Sequence, residues 1–301
     1  MTAPRVLVVG EALIDVVHRA DGTVDENPGG SPTNVAITLG RLGRSPRLLT
    51  ALGQDSHGQL LRKWLADSDV AIESTEITRT ATATAELDAS GAATYVFDIE
   101  WTLAGVDVEQ AELVHIGSIA GLLEPGASDV LRLLDQQRGD ALITYDPNIR
   151  PALIPDRDVA RQRVEALVRR ADAVKASDED LRWLYPDRDH HASARAWQES
   201  GPAIVVVTEG RDGAFAIADS GEVHVTGRTV EVVDTVGAGD TFMGAFIDSL
   251  IDEGWSSGTA RAALRNAATS HLASILDWAT RAAAITVSRR GANPPRRNEL
   301  I

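Results

Sequence analysis

Short runs of apolar residues recur along this chain, separated by stretches with a different period. "RVLVVG" at 5–10, "PRLLTALG" at 46–53, "ELVHIGS" at 112–118, "ALITYD" at 141–146, "ADAVKA" at 171–176 and "AIVVVTEG" at 203–210 have the length and composition of buried strands. Segments 33–43, 56–68, 127–138, 157–170 and 190–199 instead repeat apolar residues every three or four positions, as one face of a helix does. Strands alternating with helices predict an α/β fold with a mostly parallel central sheet, on which ligands sit beyond the carboxyl ends of the strands. With no internal repeat or low-complexity linker, residues 1–301 are expected to form one domain.

Two segments break this rhythm. "LIDVVHRADGTVDENPGG" near the start and "TRTATATAELDASGAATYVFDIE" at 78–100 alternate as hairpin strands do, with "DASG" at 88–91 as a turn. They carry too few bulky residues to form their own core. The pattern predicts a small β lid, formed by about 13–28 and 78–100, over the cleft at the carboxyl ends of the strands. A lid suits chemistry that must exclude water.

"DTVGAGDTF" at 234–242 concentrates two glycines and two aspartates just before a long apolar run. The preceding "GRTVEVV" alternates as a half-buried strand does, and "FMGAFIDSLIDEG" has helical spacing. The stretch is therefore expected to be a strand-to-helix turn. Gly237 and Gly239 would permit backbone angles closed to other residues and leave room for a ligand. The N–H groups of the first helical turn, backed by the positive end of the helix dipole, would face an anion there.

Composition narrows the chemistry. The 301-residue chain has no cysteine, which excludes disulfides, zinc–thiolate sites and thiol nucleophiles. No apolar run approaches 18 residues, and a cytoplasmic protein that does not engage a membrane is the expectation. A formal charge of −15 argues against a nucleic-acid surface, so an anionic substrate needs a local positive site. Lys63 and Lys175 are the only lysines and neither follows a glycine, so there is no Walker-type phosphate loop; a Rossmann glycine triplet is also missing. No HExxH pair occurs, and His190 and His191 read as solvent-exposed rather than metal-bound.

With these features in place, the chain resembles the ribokinase (PfkB) family of carbohydrate kinases. "PGGSPTNVAITLGRLG" at 28–43 is similar to the first family signature and "DTVGAGDTFMGAF" at 234–246 to the second. Asp15, "VVVTEGRDGAF" at 205–215 and "RRGANPP" near the end follow in the family order. "GGSPTNVA" and "YDPNIRPALI" at 145–154 are most similar to bacterial fructokinases. The resemblance implies a ribokinase-like three-layer α/β/α sandwich with a β lid. Asp240 would be the general base that takes a proton from the attacking sugar hydroxyl, and Gly237, Ala238 and Gly239 would form an anion hole for the γ-phosphoryl group of ATP. That arrangement suits phosphoryl transfer, which asks a protein mainly for positioning and charge stabilisation.

The resemblance also implies that Asp15, Gly30 and Asn34 meet sugar hydroxyls, with Gly29 as a hinge of the lid. Asn148 and Arg150, just past a strand end, are candidates for substrate or phosphate. On the nucleotide side it implies Lys175, Ser177, Asp180, Thr208, Gly210 and Thr280, with Mg²⁺ arriving on ATP and potassium, as a monovalent cation, near Asp234 and "RRGANPP". The expected activity is transfer of the γ-phosphate of ATP to a primary hydroxyl of fructose. The alternatives are a 2-keto-3-deoxygluconate kinase and, from another class, a catalytically silent sugar-binding regulator. An acid substrate would call for an extra cation in the sugar pocket, for which Arg79 and His18 are the few lid-region candidates. A lid with so little core would gain from pairing with a second copy in a homodimer.

Overall fold

The computed structural model describes residues 4–19, 22–87, 93–154 and 156–301. Its strands are β1 (Val6–Val9), β2 (Leu13–His18), β3 (Val24–Gly29), β4 (Arg47–Leu52), β5 (Ala71–Glu76), β6 (Ala81–Leu87), β7 (Ala93–Asp98), β8 (Leu113–Gly117), β9 (Leu142–Asp146), β10 (Ala173–Ser177), β11 (Ile204–Thr208), β12 (Gly213–Ala218) and β13 (Gly221–Thr226). The helices are α1 (Ser31–Arg41), α2 (Ser56–Ala66), α3 (Gly126–Gln137), α4 (Arg157–Val168), α5 (Asp178–Leu184), α6 (His190–Glu199), α7 (Ala238–Asp252), α8 (Arg261–Arg265) and α9 (Thr269–Val287).

Nine strands form the main sheet in the order β13-β12-β11-β10-β9-β8-β1-β4-β5. The run from β11 to β5 is parallel, while β12 and β13 join antiparallel at one edge. Along β1 the side chains alternate between two cores. Val6 and Val8 pack with α1, α2, α7 and α9, whereas Leu7 and Val9 pack with α3, α4, α5 and α6. A parallel sheet covered on both faces needs such continuous apolar runs, and the architecture is the expected three-layer α/β/α sandwich.

The six strands and five helices read from apolar period all appear. The segment "GRTVEVV" at 227–233 does not form a strand; it is irregular, with Val230, Val232 and Val233 exposed. After β13 the chain leaves the sheet, so this stretch does not pair with the open edge that β13 presents. Val233 instead donates its N–H to the carbonyl of Val287 at the end of α9 (2.9 Å).

A second sheet, ordered β3-β2-β6-β7, forms the lid. β2 pairs antiparallel with β3 and parallel with β6, and β6 pairs antiparallel with β7. Among the described residues its own buried apolar cluster is Leu13, Ala81 and Ala83, backed by Phe97 and Ile99, while Ile14 and Val16 of β2 pack into the main core. The expected "DASG" turn lies outside the described residues.

Capping chemistry separates two kinds of helix. The side chains of Asp55, Asp156, Ser177 and Asp189 cap α2, α4, α5 and α6 by accepting backbone N–H groups. α1 and α7 have glycines at this position, Gly30 and Gly237, and no side-chain cap. Both begin at the same cleft.

Candidate active site

A cleft of about 1450 Å³ opens between the lid and the carboxyl ends of the central strands. The lid contributes one face of each strand, including Leu13, Asp15 and Val17 of β2 and Ala83 and Ala85 of β6, as the two-residue period of a strand requires. The main sheet supplies Glu11 after β1, Ser118 after β8 and Asn148 after β9, and the first turns of α1 and α7 close the floor.

Asp240 lies in the first turn of α7 and is 8% exposed. Its carboxylate accepts hydrogen bonds from Ser31 Oγ (2.7 Å), Asn34 Nδ2 (2.8 Å) and Asn148 Nδ2 (3.4 Å). Three neutral donors from two other elements therefore fix its direction without neutralising it. Such a carboxylate can accept a proton from a hydroxyl lodged in the cleft.

The two glycines before Asp240 differ in role. Gly237 has φ 75°, and a Cβ there would come within 2.5 Å of Ala292 Cβ. Gly239 is already within α7, has no positive φ, and would bring a Cβ to 3.1 Å from only Lys175 Nζ. The expectation that both glycines relieve the backbone thus holds for Gly237 alone. At Gly239 the missing side chain serves access to the cleft, which both glycines line. Ala238 does not line it, and its N–H is directed to the carbonyl of Thr235 (3.3 Å). Asp234 holds the turn from outside, accepting the N–H groups of Val236 (3.0 Å) and Gly291 (2.9 Å).

At the lid end of the cleft, Asp15 points inward from β2. Burial pushes its carboxyl up to about 6, with Arg150 pulling it down and Asp240 adding to the rise. Gly29 faces it across the β2–β3 ladder's end, and a Cβ on Gly29 would lie 2.2 Å from Asp15 Oδ2. Gly29 was expected as a hinge, yet it closes an ordinary strand, and its lack of a side chain makes room for this carboxylate. Gly30 has φ 99°, and a Cβ would meet the Glu11 carbonyl at 2.5 Å. Asn34 keeps its Oδ1 buried with no hydrogen-bond partner, an acceptor held ready for a hydroxyl. Arg150 folds back onto Asn148, donating to its Oδ1 (2.7 Å).

Sequence reasoning missed Glu11, Ser31 and Ser118. Glu11 is fully enclosed in the cleft wall, with Oε2 lacking a partner. Burial pushes its carboxyl up to about 7, while hydrogen bonding from Ser118 and the charge of Arg150 pull it down. The signal was available: "GEALID" places a charged residue directly after a buried strand.

The nucleotide-side residues are not gathered into this cleft. Lys175 is buried in a salt bridge to Asp146 (2.9 Å). Burial would lower its pKa, but the carboxylates of Asp146, Asp180 and Asp240 outweigh burial and raise it. Ser177 and Asp180 form the capping box of α5, and Asp180 Oδ1 also accepts the N–H of Ile149 (2.8 Å). Thr208 ends β11, and Gly210, with φ 56°, lies in the turn that follows it. Thr280 is buried in α9 with its hydroxyl unpartnered. His190 and His191 are not the solvent-exposed pair expected: their side chains are 17% and 38% exposed, drawn in by Glu209 and by stacking of His191 on Phe215.

The model of the pfkB family carbohydrate kinases matches residues 3–299. A fructokinase of Rhizobium leguminosarum bv. trifolii is 37% identical over 81% of this chain and 79% of its own length. An Escherichia coli fructokinase is 30% identical over 98% of both chains. The fructokinase of Xylella fastidiosa, solved with bound ATP, superposes with a TM-score of 0.87 at 24% identity, covering 100% of this chain and 98% of its own. With a family match from end to end and the two signatures meeting at Asp240, the chain belongs to the pfkB family of carbohydrate kinases.

Proposed function

We propose that this kinase transfers the γ-phosphate of ATP to a primary hydroxyl of fructose, with Asp240 as general base. The observation that carries the reading is the convergence of Asp240, Asn34 and Asp15 on one cleft roofed by the lid. The sugar lies between the lid and the first turns of α1 and α7, its hydroxyls donating to Asp15 and to the unpartnered Oδ1 of Asn34. Asp240 accepts the proton of the attacking hydroxyl. The turn faces the phosphoryl group with the backbone of Gly237 and Gly239, not that of Ala238, and with the positive end of α7. Mg²⁺ arrives with ATP and supplies charge neutralisation on its phosphates.

Several features favour a neutral sugar over a keto-deoxy acid. Glu11, Asp15 and Asp240 all border the sugar end and would repel a substrate carboxylate. Neither Arg79 nor His18 lines the cleft; of the arginines that do, Arg19 is paired with Asp25 (2.6 Å), Arg150 is turned onto Asn148 Oδ1 (2.7 Å), and Arg290 lies beside the Gly237 turn rather than in the lid. Relatives named fructokinase at 30–37% identity support the same choice. An assembled general base speaks against a silent regulator.

The outer face of the lid exposes Val24 and Val96 at about half of their surface or more. β3 and β7 are its edge strands, and a second copy of the chain is the partner proposed for it. The cytoplasm, where ATP is held, is the proposed compartment.

A kinetic panel of fructose, glucose, ribose, adenosine and 2-keto-3-deoxygluconate with Mg·ATP tests the substrate. Fructose should give the highest kcat/KM. If the keto-deoxy acid leads instead, the fructokinase reading fails while Asp240 keeps its role.

A further inference from the structure

Outside the cleft, among the described residues, one group of three side chains has the makings of a metal centre: His190 and His191 in the first turn of α6, and Glu209 in the turn after β11. One ligand atom from each lies within 4.8 Å of the others. Glu209 Oε1 is the common point, 2.9 Å from His190 Nε2 and 3.9 Å from His191 Nε2. Bonds of about 2.0–2.1 Å at a tetrahedral angle put ligand atoms roughly 3.3 Å apart, so a small rotation of His191 suffices.

The surroundings strengthen the case. Imidazoles that bind metal through one nitrogen usually present the other to a carboxylate, which fixes ring orientation. Here a carboxylate oxygen lies near the second nitrogen of each ring. His190 Nδ1 is 3.5 Å from Asp189 Oδ1, and His191 Nδ1 is 3.3 Å from Glu222 Oε1. Glu222 is held in turn by His224 Nε2 (2.8 Å) and Arg195 (3.1 Å), and the His191 ring is stacked on Phe215 at 3.9 Å between centroids. Partial exposure of all three candidate ligands leaves a side open for water as a fourth ligand.

We propose that His190, His191 and Glu209 form a divalent transition-metal site of the His₂Glu type, suited to Zn²⁺ or Co²⁺. Two imidazoles and a carboxylate match the preferences of these ions rather than those of Mg²⁺ or Ca²⁺, which take oxygen ligands. Bound metal would fasten the turn at 208–210 to α6, independently of the cleft. The alternative role for the cluster is a plain hydrogen-bonded pairing of histidines with Glu209 and Glu222.

Titration of the tag-free, chelator-treated full chain with Co²⁺, followed by visible absorption and competition with Zn²⁺, separates the two. The metal site predicts one equivalent bound, with the intense d–d bands of a four-coordinate ion. His190→Ala and Glu209→Gln should each weaken Co²⁺ binding by at least tenfold. Glu222→Gln should weaken it about 10–100-fold while all three ligands remain. His271→Ala, in a histidine remote from the cluster that pairs with Glu253, should leave binding unchanged. Absence of stoichiometric binding in the unaltered protein, or equal binding by His190→Ala and Glu209→Gln, overturns the proposal and leaves the hydrogen-bonded cluster.

Discussion

Asn34 Nδ2 donates to Asp240 Oδ2 across 2.8 Å, tying the first turn of α1 to the first turn of α7. These residues lie 206 positions apart in sequence, one in each family signature. The contact holds the base in place, and it leaves Asn34 Oδ1 as the amide's remaining acceptor.

Asp240→Asn should lower kcat by ~10²–10⁴-fold, the usual worth of a general base. Nucleotide affinity should change little, while sugar affinity should fall modestly, because the new amide nitrogen faces the Asn34 Nδ2 donor and draws Asn34 Oδ1 away from the sugar. Equilibrium binding together with single-turnover kinetics checks both halves. Near-normal turnover in the folded variant would remove the mechanism.

The glycines before the base should separate by folding stability. Gly237→Ala forces a side chain into a left-handed backbone and against Ala292, and should cost at least ~1–2 kcal/mol in urea unfolding. Gly239→Ala meets only the end of Lys175 and should fold nearly normally. It should depress kcat more than it raises the sugar KM, since it disturbs the phosphoryl end of the cleft. A variant altered only in sugar KM would place this turn against the sugar instead.

Gly29→Ala should displace the Asp15 carboxylate from beneath the lid, because no Cβ fits 2.2 Å from its oxygen. The sugar KM should rise by roughly tenfold, equivalent to about 1.4 kcal/mol of lost hydroxyl contact. The ATP KM should hold. Equal rises in both constants would mean the lid as a whole had been disrupted.

Asp15 predicts opposed effects on function and stability. Its folded pKa is raised to about 6, chiefly by burial, so folding favours the protonated form. The cost of keeping it ionised is absent below its ordinary value of 3.8, grows as pH rises and is complete above about 6. Asp15→Asn should therefore stabilise the protein by about 1–3 kcal/mol at pH 7.5, with the gain gone by pH 3.5. In the unaltered enzyme, kcat/KM for the sugar should fall as pH drops below about 6, when protonation turns this charged double acceptor into a weaker, neutral one with an O–H donor. Denaturant melts and pH–rate profiles read the two effects separately, and a destabilised Asp15→Asn at pH 7.5 would contradict the assignment.

Much of the main layer was legible because strands buried on both faces and amphipathic helices leave opposite apolar periods. The lid was legible for the converse reason: "TATATA" alternates without bulk. The failure at 227–233 shows the limit of alternation, which records an extended backbone but not the presence of a neighbour. Asp240 and Asn34 were readable through the signatures that carry them, and Asp15 through its place after the first strand in the family order. Glu11 and Ser118 were not singled out, since their importance lies in which strand ends the sheet order brings together. The separate jobs of Gly237 and Gly239 needed dihedral angles, and that of Gly29 needed the position of a side chain from another strand.

The near-complete burial of α7 from Asp240 to Ile251, set against a lid anchored by Ile14 and Val16 of β2 and otherwise by the small cluster of Leu13, Ala81 and Ala83, makes the sugar site mechanically asymmetric. The reactive floor and the β2 strand of the roof belong to the main core, whereas the β6–β7 side of the roof has few buried apolar contacts and is the part expected to open at lower free-energy cost. Much of the energy released when hydroxyls meet Asp15 must then go into ordering the roof rather than into retention of the sugar. A sugar lacking those hydroxyls would lose turnover as well as affinity, because the lid would not stay down long enough for Asp240 to act. Selectivity in such a site is exercised through closure time.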